Sequence, residues 1–131
     1  MKLLIVDDEP SIRKAMERVA KACGWESWSC DQFGDIELLI RENGIDVMLC
    51  DYRMPPLTGV ELAERIRSRG LHLPIIVMTA SPDMIYPPVA SRVNIRQILR
   101  KPVPVADLET AIAHVMQEVS THGANAVVGT Q

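Results

Sequence analysis

Nowhere in the 131-residue chain does an apolar run approach the roughly 20 residues that a membrane-spanning helix needs. The N-terminal Met1-Lys2-Leu3-Leu4-Ile5-Val6 carries one basic residue and a short apolar run, too little for a signal peptide, and reads instead as a strand. A surplus of positive charge is also missing. Lys and Arg number 14 against 17 Asp and Glu, a net charge of −3, so no global field recruits nucleic acid or an anionic membrane. Direct nucleic-acid binding and membrane association are therefore not expected. Cys23, Cys30 and Cys50 are odd in number and lack the C-x₂-C pairs of zinc sites. They read as small hydrophobes in a reducing compartment, which makes the cytoplasm the expected location. Trp25 and Trp28 have no basic cluster beside them, so packing is the better reading than base stacking. Internal repeats and low-complexity blocks are absent.

What is present suits one packed domain: the length supports a core, and 47% of residues are hydrophobic. Residues 2–6 are apolar at nearly every position, as in a strand covered on both faces. Pro10 and Ser11 open a helix with Ile12, Met16, Val19, Ala20 and Cys23 at helical spacing, and Gly24 stands where it stops. A second strand is expected over residues 25–30. A helix with Ile36, Leu39 and Ile40 inward follows, capped by Asp31 or Asp35 and ended by Asn43-Gly44. Residues 45–50 form a third strand. The turn-forming loop of Pro55, Pro56 and Gly59 leads to a helix over 60–68, with Thr58 as its cap and Gly70 as its stop. Strands over 74–78 and 95–99 and a helix over about 105–119 complete the pattern, and residues 121–131 read as a flexible tail or the start of a linker. Between residues 81 and 94 the alternation calls for a helix, but Pro87-Pro88 stands mid-segment. An interior proline costs about 3 kcal/mol, so a loop or a short broken helix is expected there. The sum is an α/β domain over about 1–120. It has a doubly wound five-stranded parallel sheet, helices on both faces and a fourth helix broken or replaced by loop.

In such a sheet the residues just past each strand share one edge, where ligands bind. Here they are Asp7 and Asp8 after the first strand, Asp51 after the third, Thr79 after the fourth and Lys101 after the fifth. Three carboxylates in one place repel unless a cation joins them. Mg²⁺ is the natural candidate, because it takes oxygen ligands and keeps waters free for phosphate. Asp51 suits a nucleophile that forms an aspartyl phosphate. Lys101 suits a charge for a phosphoryl oxygen, and Thr79 a hydroxyl donor to the same group.

Val6-Asp7-Asp8-Glu9, Asp51-x-x-Met54-Pro55 with Gly59 beyond, Ile75 to Thr79-Ala80, and Lys101-Pro102 resemble the receiver domain of two-component response regulators, in order and over roughly residues 2–119. The resemblance implies strand order 2-1-3-4-5 and a phosphoryl group taken onto Asp51 from a sensor histidine kinase or histidine phosphotransfer protein. It implies Mg²⁺ held by Asp8 directly, by Asp7 through water, and by Asp51 and the main-chain carbonyl of Arg53. Thr79 and Lys101 would contact the phosphoryl group and pass the signal to a downstream target or output domain. Self-phosphorylation and dephosphorylation, not turnover of an external substrate, is the implied chemistry, and a phosphorylation-dependent homodimer is among the outcomes the family allows. Two residues depart from the pattern. The switch aromatic three residues before the lysine is Ile98, and the proline pair falls in the fourth-helix region.

Three rival readings remain at this point. A haloacid-dehalogenase-type phosphatase shares the Asp, Mg²⁺ and Lys, but expects a second Asp where Arg53 stands. A flavodoxin-like cofactor binder shares the fold, but expects a Ser/Thr/Gly-rich loop where Asp7-Asp8-Glu9 stands. An atypical receiver would serve as a protein-interaction module with altered signalling, which Ile98 and Pro87-Pro88 leave room for.

Overall fold

Strands and helices alternate along the chain as the apolar pattern predicts. The structure, a computed structural model, describes the backbone of residues 1–31 and 33–129 and the side chains of residues 1–31 and 35–118. In order, the elements are β1 (Lys2–Val6), α1 (Pro10–Ala22), β2 (Glu26–Cys30), α2 (Phe33–Asn43), β3 (Val47–Asp51), β4 (Arg53–Met54), β5 (Leu57–Thr58), α3 (Gly59–Ser68), β6 (Ile75–Thr79), a 3₁₀ turn (Pro82–Met84), α4 (Pro87–Arg92), β7 (Ile95–Arg100) and α5 (Val105–Gly129). The main sheet runs β2-β1-β3-β6-β7 with every pair parallel. That is the expected five-strand order, because β4 and β5 form a separate two-stranded hairpin. The hairpin was not foreseen: residues 51–59 read as plain loop.

Side-chain alternation divides the core into two layers. Leu3 and Ile5 of β1, Val47 and Leu49 of β3, and Ile76 and Met78 of β6 face Leu108, Ile112, Val115 and Met116 of α5, with Ala20 of α1. Leu4, Val6, Met48, Cys50, Ile75 and Val77 face the other way, onto Ile36 and Ile40 of α2, Leu62, Ala63 and Ile66 of α3, and Ala90 of α4. With both faces covered, the central strands are apolar at every position. The period of two breaks only where the strands run out, at Asp7 after β1 and at Asp51 and Thr79, the last residues of β3 and β6.

Thr58 caps α3 as expected, and does so reciprocally. Its Oγ1 accepts from the Glu61 amide at 3.2 Å, and its own amide donates to Glu61 Oε1 at 3.1 Å. Two amides with no partner inside the helix are thereby satisfied. Thr58→Ala is expected to cost about 1 kcal/mol, read as a lower urea midpoint at unchanged m; an unchanged midpoint would show that the cap contributes nothing.

Two expectations are corrected. Pro87 and Pro88 occupy the first turn of α4, where the missing N–H groups would have no partner, and so open a helix instead of breaking one. The segment does come out short and divided: a 3₁₀ turn, then the six residues of α4, anchored by buried Ile85, Ala90 and Val93. At the other end, α5 continues to Gly129 instead of ending near Val119. No proline follows Pro104, and the lone Gly123 costs only about 1 kcal/mol in a run holding Ala124 and Ala126. Most of the expected tail is therefore helical along its backbone; Thr130 and Gln131 lie outside the described residues. No helix among the described residues is long and apolar enough to cross a membrane.

Candidate functional site

Parallel strands end in register, so the residues that end the apolar runs converge at one edge. Cys50 pairs with Val6 and Asp51 with Met78, which sets Asp7, Asp51 and Thr79 side by side. Asp7 is 0% exposed, Asp51 5% and Thr79 4%; they are the buried polar residues among those described. One carboxylate oxygen from each of Asp7, Asp8 and Asp51 lies within 4.8 Å of the others. Lys101, just past β7, places Nζ 2.7 Å from Asp51 Oδ1, and its backbone amide donates to the Thr79 carbonyl at 2.8 Å. A cleft of about 600 Å³ opens over this floor, walled by Glu9, Arg53, Pro55, Ser81 and Met84.

The local backbone holds each group. Asp7 Oδ1 accepts from the Glu9 amide at 2.9 Å, closing a turn between β1 and α1. Asp7 Oδ2 has no hydrogen-bond partner among the described residues. A buried carboxylate with an idle oxygen is costly to ionise, and the Asp7 pKa is pushed up from 3.8 to about 6. Burial is the main cause. The Asp51 and Asp8 carboxylates add to it, against the Glu9 amide and Lys101. Beneath Asp51, burial and the neighbouring acids also push the Cys50 thiol up. It stays protonated, in keeping with its reading as a small hydrophobe. At the other wall, Thr79 Oγ1 accepts from the Ser81 amide at 3.0 Å. A hydroxyl that accepts in this way still has its own proton to donate.

The donors facing one another are all oxygens, two of them from buried carboxylates, and one oxygen is unpaired. Such a set fits a hard divalent cation and not a soft one.

Of the predicted site residues, Asp7, Asp8, Asp51, Thr79 and Lys101 come together. Arg53 lies on the cleft wall as part of the β4–β5 hairpin. Pro102 follows Lys101 through a cis peptide bond and borders a neighbouring groove. Ile98 is half-buried beside Val77, against the α2–α4 layer and apart from the cleft. Three contributors were not read from sequence. The Glu9 and Ser81 amides act through backbone direction. Arg13 donates from Nη1 to the Asp7 carbonyl at 2.6 Å, a contact that nothing in the helical pattern distinguishes from a solvated arginine.

Comparison with known proteins agrees with this geometry. The chain is 31% identical over 118 residues to the DNA-binding transcriptional regulator NtrC of Salmonella typhimurium, covering 87% of this chain and 25% of that one. It is 28% identical over 120 residues to the two-component response regulator ARR11 of Arabidopsis thaliana, covering 90% and 23%. The chain thus spans about a quarter of the length of these curated relatives. Among solved structures, a response regulator receiver domain protein from Clostridium thermocellum superposes with a TM-score of 0.80 at 26% identity, covering 92% of this chain and 97% of that one. The sequence model of the response regulator receiver domain matches residues 3–113, nearly the whole sheet with its helices, and the chain belongs to that family of two-component signalling domains.

Proposed function

We propose that Asp51 is the phosphoacceptor, taking a phosphoryl group from a phosphohistidine on a sensor histidine kinase or a histidine phosphotransfer protein in the cytoplasm. The observation that carries this is the pairing of Lys101 Nζ with Asp51 Oδ1 at 2.7 Å beside two further acids. With Oδ1 engaged by the ammonium, Oδ2 of Asp51 is the oxygen available to attack phosphorus. The new O–P bond forms as the P–N bond to the donor imidazole breaks, and its electron pair stays on that nitrogen. Lys101 can then turn to a phosphoryl oxygen, and the Thr79 hydroxyl, held by the Ser81 amide, donates to another.

Asp7, Asp8, Asp51 and the main-chain carbonyl of Arg53 are the groups that would hold Mg²⁺. When bound, that cation neutralises charge on the transferring group and among the acids themselves. The chain's own residues return to the resting pair of Asp51 and Lys101 once the acyl phosphate hydrolyses, so the domain is a switch and not a turnover enzyme. A phosphatase of the haloacid-dehalogenase type has no support: the family match is to receivers, and Arg53 holds the position of its second acid. The signal leaves through Thr79 and Lys101 toward a downstream target or output domain. Ile98, aliphatic and set away from the cleft, is not placed to act as an aromatic relay.

The test is incubation with Mg²⁺ and acetyl phosphate, read by intact mass. Wild type is expected to gain one phosphoryl mass and Asp51→Asn none. No adduct on wild type, or one that persists in Asp51→Asn, removes the proposal.

A further inference from the structure

Arg13 is the fourth residue of α1, and no step above uses it. Its side chain is half-buried, and Nη1 donates to the main-chain oxygen of Asp7 at 2.6 Å. Among the described residues no carboxylate oxygen lies within 4.0 Å of its guanidinium, so this is not an ion pair with a stray backbone contact. Asp7 stands one residue past the last β1 pairs. Its amide still donates to the Cys30 carbonyl at 3.2 Å. Asp7 is therefore held at three points: its amide by the Cys30 carbonyl, its carboxylate by the Glu9 amide at 2.9 Å, and its carbonyl, the oxygen of the Asp7–Asp8 peptide, by Arg13. Rotation of that peptide would swing exposed Asp8 away from Asp7 and Asp51, and only together do the three make an oxygen cage.

We infer that Arg13 is a positioning residue for the cation-binding acids, clamping the Asp7–Asp8 peptide so that both carboxylates converge on Asp51. The inference rests on the cation reading given above. A positive charge near a cation site repels the cation, so an Arg13 that were merely nearby would, on removal, let Mg²⁺ bind more tightly. An Arg13 that clamps the peptide would, on removal, let Mg²⁺ bind more weakly.

The experiment titrates Mg²⁺ alone into wild type, Arg13→Ala and Arg13→Lys, followed by amide NMR shifts at Asp8 and Tyr52, with urea unfolding run in the same buffer. Arg13→Ala is expected to weaken Mg²⁺ binding about tenfold, the loss of one charge-assisted hydrogen bond. Arg13→Lys, which keeps the charge and one donor, recovers part of that. Unchanged or tighter Mg²⁺ binding in folded Arg13→Ala overturns the inference while leaving the acceptor proposal standing. If Arg13→Ala does not fold, Arg13→Lys decides: it keeps the charge and loses the planar fork, so weaker Mg²⁺ binding than wild type supports the clamp and unchanged binding overturns it. A wild type that shows no Mg²⁺ response overturns the inference together with the cation reading, while the acceptor proposal stands or falls by its own labelling test.

Discussion

Asp7→Asn is expected to make the metal-free protein more stable at pH 7.5 by about 2 kcal/mol while weakening Mg²⁺ binding by at least about tenfold. Asp7 is fully buried, its Oδ2 is unpartnered, and its pKa stands at about 6 against 3.8 for a free side chain. The folded state therefore binds this proton more tightly than the unfolded state does. Between about pH 4 and pH 6 the native protein carries the extra proton, and its stability falls as the pH rises through that window. Above pH 6 the full cost of a buried, ionised carboxylate is present. A pKa of about 6 against 3.8 sets a ceiling of roughly 3 kcal/mol on that cost. Asparagine keeps Oδ1 for the Glu9 amide and carries no charge, so the variant escapes the cost. Urea unfolding in chelator should show the two proteins level near pH 4 and separating toward pH 7. Saturating Mg²⁺ should close the gap by stabilising wild type alone. A gap independent of pH, or a variant less stable than wild type at pH 7.5, would mean that Asp7 is not the strained group it is taken to be. The same residue would thus be poor for the empty fold and required for the loaded one, a pattern typical of functional sites.

The cluster at the sheet edge is legible in the sequence because a parallel sheet turns sequence position into spatial position. Asp7, Asp51 and Thr79 each end or follow an apolar run, Lys101 follows the more polar β7, and parallel pairing brings all four to one edge. What stayed hidden depends on direction and reach. The Ser81 and Glu9 amides become site groups only through the turn each residue adopts, and Arg13 through the length of its side chain across α1. Pro87-Pro88 signalled a disrupted fourth helix, and the helix is short. The helix starts at the prolines themselves, since the same residue type breaks a helix interior and favours its first turn. The β4–β5 hairpin escaped notice because strands of two residues leave no periodicity to read.

Gly59→Ala is expected to cost about 2 kcal/mol of stability and to slow phosphoryl acceptance roughly tenfold, the two losses arising from one clash. Gly59 opens α3 where it abuts the acceptor strand. Its amide donates to the Tyr52 carbonyl at 2.7 Å. A Cβ there would lie 3.0 Å from the Asp51 carbonyl oxygen, 3.3 Å from Cys50 Sγ and 3.3 Å from Tyr52 Cα. Two of these are backbone atoms of a central buried strand and the residue after it, and the thiol is packed beneath them, so no flexible side-chain end can yield. Either α3 lifts away from β3, with its buried Leu62, Ala63 and Ile66, or the Asp51–Tyr52 backbone shifts and carries the carboxylate off its contact with Lys101. Gly44→Ala supplies the contrast. Gly44 has φ +61°, so an alanine there is strained by about 1 kcal/mol, but among the described residues nothing lies within 4 Å of its Cβ, and it precedes β3 at the far edge of the sheet. Both variants should lower the urea midpoint. Only Gly59→Ala should also slow acetyl phosphate labelling of Asp51 at saturating Mg²⁺, measured where both proteins are fully folded. Wild-type labelling by Gly59→Ala would show that the acceptor tolerates movement of α3, and would separate the packing of Gly59 from the chemistry at Asp51.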